Sequence, residues 1–383
     1  MQHTNYDSFA KALFGTYDTF RVSGFASRHF SPEMYHAIIE KIVSSSSRQI
    51  SIKEVGRSFE GRPLHLVTLG KGSIAVLLWS QMHGDESTAT MAIADILNYF
   101  TRTSAEESTQ SMLSSLTLHF LPMLNPDGVA RRQRRTAQNI DMNRDALALV
   151  TPEAQILKQI QNNLQPQFGF NLHDQELSTV GTSKELTAIA LLAPAFNPEK
   201  SDNEVRRKAK HVAAVFATTM SQIIPGKIAR YDDTFEPRAF GDTMQAWRTS
   251  TVLVESGHAR NDPQKEVIRK LNVVGILSSL SSVATGEYQG SDISLYEQLP
   301  FNGKKAYDVV VRNILVGHGD GRIMPVDIAI SYQVDTHAES TPKLVDLGDL
   351  STYIGLQEKD GKRKKISHSL LTLGQLFEWE KYF

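Results

Sequence analysis

Apolar residues fall into short, nearly continuous runs at 74–79, 116–124, 168–172, 186–192 and 251–254. Such runs suit strands buried on both faces, as in a mostly parallel or mixed sheet covered by helices. A buried helix gives the same pattern over one short run, so each run taken singly stays open. Residues 50–55 and 64–69 alternate instead, which predicts strands joined by the turn Gly61-Arg62-Pro63. Between the runs lie helical stretches at 87–100, 152–164 and 204–223, and Asp262-Pro263 opens another to about residue 283. Ser31-Pro32-Glu33 sets a capping hydroxyl before a proline at the first helical position and opens a helix to about residue 43. Strands alternating with helices predict an α/β fold: a mixed, largely parallel central sheet with helices on both faces.

The pattern shifts near Ala284-Thr285-Gly286. Beyond Leu299-Pro300 it is strand-like at 307–316 and 323–332, with His318-Gly319-Asp320-Gly321 as a turn and Asp360-Gly361 as a hairpin signal. Two domains are expected: a large α/β domain over residues 1–290 and a small β-rich C-terminal domain over 295–383.

Composition narrows the chemistry. The 383 residues are 40% hydrophobic and 22% charged, ordinary for a globular chain. A net charge of -1 gives no global attraction to nucleic acid or acidic membranes, so neither is an expected partner. No apolar run approaches the roughly 20 residues that span a bilayer. The absence of cysteine excludes disulfides, a thiol nucleophile and a thiolate-bound metal. Residues 1–7 lack the basic-then-apolar pattern of a leader. The expected compartment is the cytoplasm if Met1 is the native start, and the periplasm or exterior if a leader was removed.

The candidate chemistry lies at the ends of the apolar runs. Residues 74–79 lead into Ser80-Gln81-Met82-His83-Gly84-Asp85-Glu86, and 168–172 lead into His173-Asp174. Two imidazoles and one carboxylate at strand ends make a three-ligand zinc site with a fourth position open, the arrangement of catalytic rather than structural zinc. An isolated His-x-x-Glu is more often a solvated histidine and a first-turn glutamate, so the other segments decide. Asn125-Pro126-Asp127-Gly128 follows the 116–124 run. Arg134 comes next, then Asn139-Ile140-Asp141-Met142-Asn143-Arg144. Later, Thr251-Val252-Leu253-Val254-Glu255-Ser256-Gly257 puts a carboxylate at another strand end.

Taken together and in this order, these segments resemble the zinc carboxypeptidase (M14) family, over roughly residues 30–285. Gly56-Arg57-Ser58-Phe59-Glu60-Gly61-Arg62-Pro63 is similar to the family segment ahead of the first metal motif. The resemblance implies that residues 1–290 form a catalytic domain holding one zinc ion on His83, Glu86 and His173. It implies Glu255 as general base and Arg134 as the cation that stabilises the developing oxyanion. Asn143 and Arg144 would bind the free carboxylate of a peptide or small amide substrate. Arg131, Arg132 and Arg135 compete with Arg134 for its role, and a structural Arg144 paired with Asp141, Asp145 or Asp174 competes with a substrate-binding one.

Two segments depart from the family pattern. The stretch Phe240 to Trp247 offers a tryptophan where the family often carries a mobile tyrosine, and Tyr231 lies further upstream. Asp174 stands beside a ligand, either orienting an imidazole or solvating a loop. His258 lines the site or sits in a loop. The expected function is a zinc-dependent metallocarboxypeptidase. The alternatives are an aspartoacylase-like amidoacylase for small N-acyl amino acids, and a non-catalytic binding protein on the same scaffold.

Overall fold

The computed structural model describes residues 5–47, 50–317, 319–334 and 340–383. His318 of the predicted turn, and residues 1–4 of the segment read for a leader, lie outside them. The first part of the chain contributes strands β1 (Ser51–Arg57), β2 (Pro63–Gly70), β3 (Ile74–Ser80), β4 (Leu116–Leu121), β5 (Phe168–Asp174), β6 (Thr179–Val180), β7 (Ile189–Leu192), β8 (Ile228–Arg230) and β9 (Ser250–Ser256). Eight of them form one sheet in the order β1-β2-β4-β3-β5-β9-β7-β8. The four central strands, β4, β3, β5 and β9, run parallel, and antiparallel pairing appears only toward the edges.

Strand geometry explains why the central runs are apolar throughout. Successive side chains point to opposite faces, and both faces are covered. In β3, Val76 and Leu78 join the core under one helical layer, while Leu77 and Trp79 join the core on the other. The first layer includes helices Pro32–Ser44, Thr88–Arg102, Glu204–Ile223 and Glu266–Thr285; the second includes Pro152–Leu164 and Phe240–Ala246. This is the predicted mixed α/β architecture. The helix Pro32–Ser44 begins as its sequence demands, with Ser31 Oγ accepting from Met34 N at 3.2 Å.

Two helices differ from expectation. The one expected from Asp262-Pro263 starts at Glu266, because Asp262 stays outside it and accepts from Val267 N and Ile268 N (3.0 and 3.3 Å). That helix is long and apolar enough to pass for a bilayer span, yet 78% of its most apolar window is buried inside the protein. The N-terminal helix Asn5–Phe20, unanticipated from the pattern, packs on it.

The last part of the chain adds β10 (Asn302–Gly303), β11 (Ala306–Gly317), β12 (Ile323–Val334), β13 (Ser340–Gly348), β14 (Ile354–Asp360) and β15 (Lys365–Ser367). The short β10 pairs with β6, and the others form a sheet with its own apolar core around Val311, Ile328 and Trp379. Asp360-Gly361 is not a hairpin. β14 and β15 do not pair with each other; both lie parallel to β11 along one edge. Gly361 is there because its N–H donates to Arg312 O at 2.7 Å and a Cβ would sit 2.4 Å from the Ile314 side chain.

Candidate metal centre and its surroundings

The parallel strands β3, β5 and β9 all end on one side of the sheet, the side where α/β folds place their ligands. β3 ends in a sharp turn in which Gln81 adopts a left-handed φ of 50°, an uncommon conformation outside glycine. The turn is braced from two sides. Asn125 N donates to Gln81 O at 3.0 Å, and Gln81 Nε2 donates to Gly84 O at 3.0 Å. Gly84 packs against Gly128 so closely that a Cβ would lie 2.1 Å from the Gly128 carbonyl carbon. This contact explains the glycines of both motifs. Asn125 caps the helix Pro126–Arg131 through Gly128 N at 2.9 Å. Asp127 accepts from Ser58 Oγ and Arg62 Nη1, both at 2.7 Å, which latches the Gly56–Pro63 segment beneath the turn.

His83, Glu86 and His173 are brought together and buried, with one ligand atom from each lying within 4.8 Å of the others. His83 Nδ1 contacts Glu86 Oε1 at 2.7 Å, and His173 Nδ1 contacts Glu86 Oε2 at 2.8 Å. Imidazole and carboxylate donors at this spacing fit one zinc ion, whose Zn–N and Zn–O bonds run to about 2.0–2.2 Å. His173 Nε2 is buried without a hydrogen-bond partner among the described residues. His83 Nε2 donates to Asp141 Oδ1 at 3.1 Å.

The electrostatics are those of tightly packed opposite charges. Burial works against an ionised Glu86, but His83 and His173 outweigh it and hold the carboxyl below its ordinary range. Burial pulls His83 down, yet Glu86 and the Asp141 hydrogen bond push it up to about 9. For His173 burial prevails and lowers the imidazole.

Glu255 stands directly beside His173 in the β5–β9 register. Its Oε2 is buried and makes no hydrogen bond among the described residues. Burial first, and then the charge of Glu86, raise its carboxyl well above the ordinary range. Tyr231, just beyond β8, faces the same charges. Glu255 first, then burial, push its phenol up to about 12. Trp247 is elsewhere, with Lys158 Nζ 3.4 Å above its ring.

Among the clustered arginines, only Arg134 reaches the three-ligand group within the described residues. Its Nη1 donates to Glu86 Oε1 at 3.0 Å and its Nη2 to Asp141 Oδ2 at 3.4 Å, while 47% of the side chain stays exposed. Arg131 pairs with Glu60, and Arg135 donates to Asn139 O. Arg132 is the left-handed cap of a helix.

Arg144 is 42% exposed and lies 3.6 Å from Glu236, which removes the reading of it as a buried partner of Asp141, Asp145 or Asp174. Asn143 is buried, and its Oδ1 accepts from Phe240 N at 2.9 Å. Asp174 orients no imidazole among the described residues. It accepts from Thr88 Oγ1 (2.6 Å) and Lys265 Nζ (3.1 Å), while its own N–H donates to Glu86 Oε2 (3.1 Å). His258 is not among the clustered ligands. The pattern gave no warning that Asp141 holds His83 or that Lys265 holds Asp174. Both are contacts across more than fifty positions of chain, invisible to local reading.

Comparison with known proteins bears on this geometry. Residues 35–190 match the family model described as zinc carboxypeptidase. Carboxypeptidase B of Astacus astacus is 30% identical over 98 residues, covering 25% of this chain and 32% of that protein. Carboxypeptidase 2 of Trichophyton tonsurans is 25% identical over 213 residues, covering 52% of this chain and 38% of that protein. The chain thus spans less than two fifths of the length of these relatives. Among solved structures, a metallo-carboxypeptidase from Burkholderia cenocepacia superposes with a TM-score of 0.54 at 19% identity, covering 67% of this chain and 70% of that one. Carboxypeptidase A from Helicoverpa armigera gives 0.54 at 14% identity, covering 72% and 81%.

Proposed function

We propose that the chain is a member of the zinc carboxypeptidase family, whose model matches residues 35–190, and that it is a zinc-dependent metallocarboxypeptidase. Its substrate is a peptide or small amide with a free carboxylate next to the scissile bond. The observation that carries this reading is the convergence of buried His83, Glu86 and His173, with Glu255 next to His173 and one carboxylate oxygen unsatisfied.

His83, Glu86 and His173 would hold one zinc ion. When bound, zinc supplies Lewis acidity that acidifies water and polarises a carbonyl. Glu255 takes a proton from the attacking water and passes it to the leaving amine. Its raised carboxyl suits a base that must hold a proton between the two transfers, and the charge of a cation beside it counters part of that rise. Arg134 supports the negative charge that develops on the carbonyl oxygen. Its guanidinium is fixed by Glu86 and Asp141 yet half exposed, so it can face a ligand without first rearranging. Arg144 and Asn143 receive the substrate carboxylate, to which a planar guanidinium presents paired donors.

A panel of free-carboxylate peptides, their amides and N-acyl amino acids, assayed with added zinc, tests the reading. Release of the C-terminal residue from the free peptides alone is expected. Glu255→Gln should retain zinc while turnover falls by at least ~10²-fold. Hydrolysis confined to the N-acyl amino acids would replace the reading with an amidoacylase. Zinc-loaded protein that binds peptides but cleaves none would make it a binding protein.

A further inference from the structure

A second pair of histidines lies outside the three-ligand group described above. His36 is on the helix Pro32–Ser44 and His65 is on β2. Both are half-buried. His65 Nδ1 and His36 Nε2 are 3.3 Å apart, with the ring planes at 87°. As a hydrogen bond this is long, beyond the usual 2.7–3.2 Å range for nitrogen donors to oxygen. Two imidazole nitrogens bonded to one tetrahedral ion at about 2.05 Å each stand ~3.3 Å apart.

A third donor stands near the pair, although as the side chains stand only His83, Glu86 and His173 form a three-ligand group among the described residues. Glu40 lies one helical turn beyond His36, on the same face. It is exposed, and its charge acts on both imidazoles. Glu54 faces His65 across the β1–β2 register but is held by Arg57 Nε at 2.8 Å. Each imidazole carries a ring nitrogen that can offer a lone pair, the form that binds metals. Thiols cannot compete, because the chain has none.

We propose that His36, His65 and Glu40 form a second binding site for a divalent transition metal of the zinc class. The site is open to solvent, and it joins a helix to the antiparallel margin of the main sheet. An ion held there cross-links two elements far apart in sequence and stabilises the folded chain, since the unfolded chain does not bring the ligands together. The site stands whether or not the centre at His83 is catalytic.

The test uses the full chain and zinc alone. His173→Ala removes the buried centre, and equilibrium dialysis of that variant is expected to retain one equivalent of zinc. Adding His36→Gln and His65→Gln should abolish that equivalent, and Glu40→Gln should weaken it. Zinc should raise the melting temperature of His173→Ala and leave that of the variant carrying all three histidine changes unmoved. In the same background, cobalt should give the visible absorption of a tetrahedral ion, lost with His36→Gln. Should His65→Gln fail to fold, His36→Gln, on the surface of a helix, carries the same readings alone. Absence of zinc from His173→Ala, or zinc that persists after both histidine changes, would overturn the proposal.

Discussion

Asp141 Oδ1 accepts from His83 Nε2 at 3.1 Å, and this contact decides which way the imidazole faces. With Nε2 committed to the carboxylate, Nδ1 is left toward Glu86. Asp141 is itself held by Asn143 N at 3.0 Å and by Arg134. The residue thus couples the proposed carboxylate-binding segment to the proposed metal ligand. Such outer partners commonly contribute 10–100-fold in metal affinity. Asp141→Ala is therefore expected to weaken zinc binding by about that factor, read by competition with a chromophoric chelator. Unchanged affinity would mean that the ring is oriented by packing alone.

Arg144 permits a cycle that separates substrate contact from architecture. Amidating the substrate carboxylate should cost about 1.5–3 kcal/mol in kcat/KM, the scale of a hydrogen bond to a charged group. The lower half of that range is expected, because Arg144 is 42% exposed and solvent screens it. Arg144→Ala should cost a similar amount on the acid and little more on the amide, since both changes remove one contact. Additive losses would assign Arg144 to structure instead.

Asp242 should make stability depend on pH. Burial raises its carboxyl from the ordinary 3.8 to about 7, and only 7% of the residue is exposed. Between about pH 4 and 7 the folded protein holds a proton that the unfolded chain has lost. This contribution is fully present below about pH 4 and is lost as pH rises through 7, by ~1.4 kcal/mol for each pH unit crossed. Asp242 Oδ1 accepts from Glu236 N at 3.2 Å, and asparagine preserves that acceptor. Asp242→Asn should therefore stabilise the protein modestly at pH 5 and more at pH 8, by at most a few kcal/mol. Urea unfolding at the two pH values reads this, and an equal effect at both would contradict it.

A buried pair anchors the N-terminal helix. Arg269 Nη2 lies 2.6 Å from Asp95 Oδ1, and Asp95 also receives Tyr17 Oη at 2.7 Å and Val22 N at 2.8 Å. Removing one partner leaves an uncompensated charge in the core. Arg269→Met should destabilise by ~3–5 kcal/mol in denaturant unfolding, and Asp95→Leu added to it should recover much of the loss. A loss below about 1 kcal/mol would indicate that Asp95 is protonated and content without its partner.

Much of this protein is legible from its order of residues. Continuous apolar runs at 74–79, 168–172 and 251–254 announce strands covered on both faces, because only such strands need no polar side. Ser31-Pro32, Asn125-Pro126 and the helix Pro152–Leu164 carry their own boundary chemistry, so their positions follow from short-range rules. The candidate ligands are visible for the same reason, as polar residues where apolar runs stop. Contacts between distant segments are not. Register put Glu255 beside His173, packing put Asp141 behind His83 and Arg134 ahead of its neighbours, and charge put Lys265 rather than an imidazole on Asp174. Asp360-Gly361 makes the same point from the other side, since its local turn signal yielded to pairing with β11. Local propensity is written in neighbouring residues, whereas a side chain's partner is chosen by which strands and helices meet, and that choice exists only in the folded chain.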